Sequence, residues 1–409
     1  MGEKIAVIGG GPSGMVAAGF ASSRHKNVKL FEKNNKLGKK LFITGKGRCN
    51  ITNNTDIENF LDNVTTNKDF LYSALYSFTN TDILSLLSNY NLKTKVERGG
   101  RVFPVSNKSS DVIKAFEKFL TEKDVNIILN KEVNKIIYKN GFFVLEFKDG
   151  SNESFDKIII ATGGKSYPVT GSTGDGYRFA RYLGHSIIDL KPALVPCEVQ
   201  ENWVKDIQGL TLKNISISAF IDNKKVYENF GEMLFTHFGI TGPIVLTMSN
   251  IINKYIEQKR KINFFIDLKP ALSLEKLDNR ILRDFEKYNN KQVKNGLKDL
   301  LPQNLIPIVL KLSGIAEEKS INQITKEERN RLTKTIKNIE LNFLKFRPLD
   351  EAIVTSGGVS TLEIDPSTME SKLIPGLFFA GEVIDVEALT GGYNLQIAYS
   401  TGYLAGINC

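Results

Sequence analysis

Lys4-Ile5-Ala6-Val7-Ile8-Gly9-Gly10-Gly11-Pro12-Ser13-Gly14 decides how this chain folds. The apolar run from Ile5 to Ile8 reads as a buried parallel strand, and it runs straight into G-x-G-x-x-G at Gly9, Gly11 and Gly14. An amphipathic helical stretch follows, then a second apolar run, Val28 to Phe31, that ends on Glu32. This is the βαβ unit of dinucleotide-binding folds. Gly9 permits the tight turn, Gly11 admits a pyrophosphate to the backbone, and Gly14 lets the helix pack close to the strand. Pro12 and Ser13 lie in the same turn, where the helix N-terminus offers unpaired N–H groups and a positive dipole end to phosphates. Glu32 is placed to accept from a ribose 2′-hydroxyl. An ordinary Gly-rich turn would leave Glu32 unexplained.

The 409 residues suffice for two or three domains, and 41% hydrophobic with 24% charged residues is an ordinary globular balance. No apolar run approaches the roughly 18 residues of a membrane span. The first strand begins at once, so no signal peptide is expected. Cys49, Cys197 and Cys409 form no paired spacing, and His25, His185 and His237 are too scattered for a metal site. A reducing, cytoplasmic setting fits. The net charge of +9 raises the question of nucleic acid. The lysines read as dispersed, with no run of five and no aromatic-interleaved stripe, so no nucleic-acid partner is expected.

Strand and helix alternate over residues 1–190. From Lys191 the texture changes to short β-rich stretches, such as Ile215 to Ile221 and Lys261 to Leu268. Leu277, Ile281, Phe285 and Tyr288 then follow a helical period. After Arg347-Pro348 the α/β texture returns, with Leu377-Phe378-Phe379-Ala380 running into Gly381 and a last helix beginning near Gly392. The predicted fold is therefore α/β, a discontinuous Rossmann-like domain (1–190 and 348–409). It carries a small antiparallel β domain (191–272 and about 335–347), β-barrel-like by the family resemblance given below, and a small helical domain (273–334).

Only one complete dinucleotide fingerprint is present. A single Rossmann unit completed by a C-terminal Gly-rich strand and helix is the arrangement of proteins with one FAD. Gly391-Gly392 would bring the final helix N-terminus to the pyrimidine edge of a flavin, where its dipole would stabilise the reduced anion. Glu382 either bonds a ribityl hydroxyl or holds its loop. The stretch from Gly38 to Asn53 supplies Lys39, Lys40 and Arg48 as positive charge for the pyrophosphate, and three glycines able to pass under a flat ring. Asp175 reads as a helix-start acid with a structural role.

Gly163-Gly164, Thr173-Gly174-Asp175-Gly176 and the stretch 376–382 resemble the fumarate reductase and succinate dehydrogenase flavoproteins. The histidine that would link a flavin covalently has no counterpart, which implies non-covalent FAD. The whole chain is more similar to the bacterial YhiN/BaiN-like family of aminoacetone oxidases and bile-acid reductases. The pieces that carry the resemblance are 38–50, Leu234 to Pro243, Ser356-Gly357-Gly358-Val359, 368–372 and Thr390-Gly391-Gly392-Tyr393-Asn394. Position 46 is Lys where that family's usual run has glycine. The resemblance implies FAD contacts from Gly9, Gly11, Pro12, Ser13, Gly14, Glu32, Lys33, Lys40, Arg48, Cys49, Asn50 and Val133. It adds Thr162, Gly163, Gly381, Glu382, Gly391, Gly392, Tyr393, Asn394 and Leu395.

The expected activity is FAD-dependent oxidoreduction of a small molecule, with NAD(P)H as a transient donor to an unsaturated, carbonyl-conjugated substrate. Two alternatives stand beside it: an amine or aminoketone oxidase that uses O₂, and a flavin-binding accessory or RNA-linked protein. His237 is the candidate catalytic proton donor and Arg48 a second catalytic candidate, with Tyr167 and Tyr393 as weaker substrate contacts. Cys49 would be a thiol beside the flavin, without a partner for disulfide chemistry.

Overall fold

The computed structural model describes residues 2–25, 27–256 and 260–409. The chain divides into two compact units, Met1–Ala193 with Pro348–Cys409, and Leu194–Arg347.

The first unit is built on a five-stranded parallel sheet in the order Leu377–Phe379, Lys157–Ile160, Lys4–Ile8, Asn27–Phe31, Asn126–Ile128. The opening strand is central. Ile5, Ala6 and Val7 are fully buried, as a strand covered on both faces requires. Ile8 pairs with Phe31 on one side and Ile160 on the other, so three strands end level at Gly9, Glu32 and Ala161. Helix Pro12–Ser22 packs against helix Tyr393–Asn408, the last element of the chain. The approach is close because Gly402 and Gly406 lack side chains: a Cβ there would stand 2.4 Å from Ser13 O and 2.5 Å from Ala17 O. A hairpin of Val133–Lys139 and Phe142–Phe147, extended by Asn152–Phe155, forms a separate antiparallel sheet.

The second unit holds a closed barrel of Cys197–Val199, Gly239–Thr241, Lys224–Phe235, Thr211–Ile221, Ile262–Asp267 and Ile339–Phe346. Alternation fills its interior: Ile215, Ile217, Ala219 and Ile221 are buried while intervening residues face outward or are part-covered. The helices Leu274–Lys287, Ile306–Leu312 and Lys326–Lys337 lie in the connection between the last two strands. Thr325 and Glu328 cap the last of these reciprocally. The α/β Rossmann architecture with an added barrel and helices is the fold class that the sequence predicts.

Candidate functional site

The site is read within the first unit, at the carboxyl ends of its parallel strands, where open α/β sheets bind ligands. The three fingerprint glycines have three physical reasons. Gly9 has φ +109°, and a Cβ on it would meet Ala161 O at 2.5 Å. A Cβ on Gly14 would meet Gly9 O at 1.9 Å. Around Gly11 there is open space, with no atom within 4 Å of a Cβ. Two glycines therefore close the turn and the third leaves room before the helix. Helix Pro12–Ser22 has Gly11 as N-cap and no side-chain cap bond. Its terminal N–H groups are open to an anion.

Glu32 is buried, and its carboxylate is oriented by three N–H groups. Oε2 accepts from Gly10 N at 2.8 Å, and Oε1 accepts from Asn34 N and Nδ2, both at 2.7 Å. A carboxylate offers about four acceptor positions, so one remains for a ligand hydroxyl. Across the sheet, Thr162 Oγ1 is buried without a hydrogen-bond partner, as are Asn50 Oδ1 and Arg48 Nε. Buried polar atoms rarely stay unpaired, so these three have bonding capacity left for a bound molecule. Open backbone at Gly11, a free acceptor on Glu32 and these orphan atoms fit a dinucleotide cofactor.

The basic residues assigned to the pyrophosphate are instead held by the protein. Lys40 Nζ pairs with Glu382 Oε2 at 2.7 Å and bonds Ser166 Oγ at 2.7 Å. Lys33 pairs with Asp175 at 2.7 Å, and Lys39 bonds Asn34 Oδ1 at 2.9 Å. Arg48 donates to Glu97 at 2.6 Å and lies 4.0 Å over the Phe103 ring. Within the first unit the uncapped helix start remains the open anion-binding group of this turn. Glu382 also accepts from Thr355 N at 2.9 Å. Of its two expected roles, loop holding is the one with visible partners.

At the C-terminal turn, Gly392 caps helix Tyr393–Asn408 with φ +101°, and its missing Cβ is 2.4 Å from Thr52 C. That close approach is to protein backbone. The Asn394 side chain closes the turn itself, accepting from Ala388 N at 2.9 Å and donating to Ala388 O at 2.7 Å. Tyr393 is buried edge-on against Phe60, and Leu395 is half-buried on the core. Gly381 has φ +77° and faces Ser13 Oγ; its N–H donates to Thr401 Oγ1 at 2.9 Å. Gly163, at φ +72°, lies beside Ser172. Val133 is buried at the strand that follows Lys131, whose N–H donates to Glu32 O.

Cys49 is buried, and burial pushes its thiol up to about 12. A thiol raised this far stays protonated at neutral pH. Asp175 begins helix Asp175–Tyr182, with Gly174 as its cap, so it is a first-turn acid. Tyr167, half-buried at φ +52°, has its hydroxyl raised by burial. His237 belongs to the second unit, exposed on the turn between Lys224–Phe235 and Gly239–Thr241 with its ring against Phe238.

Several site residues carry no sequence signal. Asn34 fixes Glu32. Asn53 donates one amide to both Gly99 O and Gly391 O at 3.0 Å, tying a distant hairpin tip to the C-terminal turn. Glu387 is buried with Oε2 unpartnered, and burial raises its carboxyl to about 7. Isolated Asn and Glu residues resemble loop residues until their partners are known.

The fold and this cradle define an oxidoreductase of the flavin-binding Rossmann class. The model of the HI0933-like protein Rossmann domain matches residues 3–408. The chain belongs to this HI0933-like family. It is 31% identical over 406 residues to a 3-dehydro-bile acid delta(4,6)-reductase of Clostridium scindens, covering 99% of this chain and 98% of the relative. It is 30% identical over 409 residues to a ribosomal RNA dihydrouridine synthase of Haemophilus influenzae, covering 98% and 97%. Among solved structures, a 3-ketosteroid delta1-dehydrogenase from Sterolibacterium denitrificans shares the fold, with TM-score 0.53, 12% identity, and 99% of this chain and 98% of that one covered. Among the described residues no helix is long and apolar enough to cross a membrane, and no group of three or more His, Cys, Asp or Glu could hold a metal.

Proposed function

We propose that the chain binds FAD non-covalently and uses NAD(P)H to reduce a carbon–carbon double bond conjugated to a carbonyl. The observation that carries the cofactor assignment is the pairing of open helix N-terminus and Glu32. The helix start at Gly11–Gly14 receives the pyrophosphate, and the one free acceptor of Glu32 takes a ribose hydroxyl. Thr162 Oγ1 and Asn50 Oδ1 complete their bonding on the same molecule. When bound, the flavin supplies the hydride. The chain orients and excludes water. Glu382, clamped by Lys40, Ser166 and Thr355, keeps the loop after Phe379 in place. Arg48, fixed by Glu97 and Phe103, keeps its Nε–H available for a ligand oxygen.

The substrate class rests on chemistry shared by the two relatives' names. A delta(4,6)-reductase acting on a 3-dehydro compound saturates an enone, and a dihydrouridine synthase saturates the uracil double bond conjugated to its carbonyl. The small-molecule enone is the first reading. A second, a uracil base within RNA, is favoured by one observation: Arg98 and Arg101, without ion pairs among the described residues, flank a turn that Asn53 ties to Gly391 of the cradle.

The test is the visible spectrum of the anaerobic protein with NADPH or NADH. Bleaching of the oxidised flavin band, followed by recovery on adding a steroid enone or ribosomal RNA, is the expected result. A protein that stays yellow with both nucleotides but bleaches with an amine donor refutes the reductase reading and points to an oxidase.

A further inference from the structure

Two segments that are distant in sequence hold nearly all the charge imbalance. Residues 36–48 carry Lys36, Lys39, Lys40, Lys46 and Arg48 with no acid; residues 91–108 carry Lys93, Lys95, Arg98, Arg101 and Lys108 with one acid, Glu97. Their net of +9 equals that of the whole chain, so the other residues balance. Folding joins them. Arg48 donates to Glu97 at 2.6 Å and covers Phe103, and Ser109 Oγ donates to Phe42 O at 2.7 Å. Glu97 is shared by Arg48 and Lys95, which leaves it no capacity to neutralise more. Among the described residues, Lys46, Lys93, Arg98, Arg101 and Lys108 make no ion pair, and all but Arg101 are exposed.

The patch also has a fixed position. Thr94–Glu97 and Arg101–Pro104 form a hairpin whose tip is Arg98-Gly99-Gly100-Arg101. Asn53 holds Gly99 O and Gly391 O with one amide, and Asn54 N donates to Gly100 O at 2.7 Å. The two arginines therefore flank a rigid turn directly beside the glycine pair of the cofactor cradle, all within the first unit. A dinucleotide at the cradle is already served by the helix N-terminus, so this second cationic surface is surplus to it.

We propose that the surface formed by the Arg98–Arg101 hairpin and residues 36–48 docks the sugar–phosphate backbone of an RNA, presenting one base to the cradle. This rests on the RNA reading of the substrate given above. Backbone contacts of this kind position without reading sequence, and they make binding steeply salt-dependent. Exposed apolar Val96 and Val105 between the cations suit base or sugar contact.

The test compares flavin-loaded full chains on deproteinised bacterial ribosomal RNA, by filter binding from low to moderate salt. The patch variant carries Lys93→Gln, Arg98→Gln, Arg101→Gln and Lys108→Gln. The control carries Lys298→Gln, Lys311→Gln, Lys326→Gln and Lys334→Gln in the second unit. The patch variant is expected to bind at least tenfold more weakly, with its log–log salt slope reduced by about 3, while the control is unchanged. Flavin content and bleaching by the pyridine nucleotide stay as in the unmodified chain. Equal weakening in patch variant and control overturns the site and leaves the RNA reading standing. No binding by the unmodified chain at low salt overturns both. Binding to anionic phosphatidylglycerol vesicles that the patch variant loses, without loss on RNA, makes this a membrane-facing surface and overturns the proposal.

Discussion

Gly402→Ala sets two effects of opposite sign against each other. Gly402 lies inside helix Tyr393–Asn408, where an alanine gains up to about 1 kcal/mol of helix propensity. The new Cβ would stand 2.4 Å from Ser13 O and 3.1 Å from Ser13 C and Cα. Ordinary contact needs about 1 Å more. The obstruction is main chain, so no rotamer change relieves it and the two helices must part. Overpacking of this kind costs typically about 1–3 kcal/mol. Overpacking wins, by up to about 2 kcal/mol, which lowers Tm by up to about 4 °C. Ser13 is the second residue of the helix whose uncapped start is the proposed anion site, so the same displacement disturbs it. Flavin retention after gel filtration, read from visible absorbance per protein, should fall about tenfold in affinity for each ~1.4 kcal/mol transmitted. Gly406→Ala, 2.5 Å from Ala17 O and one turn further from the cradle, should lower Tm similarly but retain more flavin. A Gly402→Ala chain that melts higher and keeps its flavin would refute both the close approach and its link to the site.

Three further outcomes follow from the same geometry. Lys46 is exposed at φ +58°, a left-handed conformation that costs a side chain about 1–2 kcal/mol, offset by about 0.5–1 of glycine's unfolded-state freedom. Lys46→Gly should therefore raise stability by about 0.5–1 kcal/mol in urea unfolding; a loss of stability refutes a left-handed strain at this position. Glu387, raised by burial from 4.5 to about 7, is neutral in the folded chain and charged in the unfolded chain between those values. It stabilises the fold fully below about pH 4.5, and that contribution, about 3 kcal/mol at most, is lost as pH rises through 7. Glu387→Gln should flatten the decline of stability between pH 5 and 8, and parallel curves for both chains would contradict its burial as a proton-holding acid. Glu32→Ala removes the acceptor of Gly10 N and of two Asn34 N–H groups together with the free position for a ribose hydroxyl. Hydrogen bonds to a charged acceptor contribute about 1.5–3 kcal/mol, so FAD affinity should drop at least tenfold in equilibrium titration. Unchanged affinity would remove Glu32 from the cofactor site.

Local rules explain what the sequence made legible. A buried apolar strand, a glycine turn, a helix start and an acid at the end of the next strand lie within residues 4–32, and each follows from its neighbours a few positions away. The same holds for the β-rich stretches Ile215 to Ile221 and Lys261 to Leu268, which predicted a β-rich insertion. These suffice for the α/β Rossmann class and a flavin-type oxidoreductase.

Pairings between distant residues were not legible, because no local propensity encodes them. Lys40 and Arg48 read alone as phosphate ligands; only packing supplies Glu382 and Glu97 as their partners. Asn394 reads as a cofactor contact until its amide is seen closing the turn at Ala388. Cys49 reads as a thiol beside the flavin, and only packing shows that burial raises it to about 12. The lysines read as dispersed because charge is counted along the chain, whereas attraction for a polyanion depends on distance in space. By itself the sequence determined the strand, glycine turn, helix start and acid of the dinucleotide fingerprint, since that motif is continuous. Tertiary structure alone decided which charges are neutralised and which collect beside the cradle, since folding brings residues 36–48 against residues 91–108.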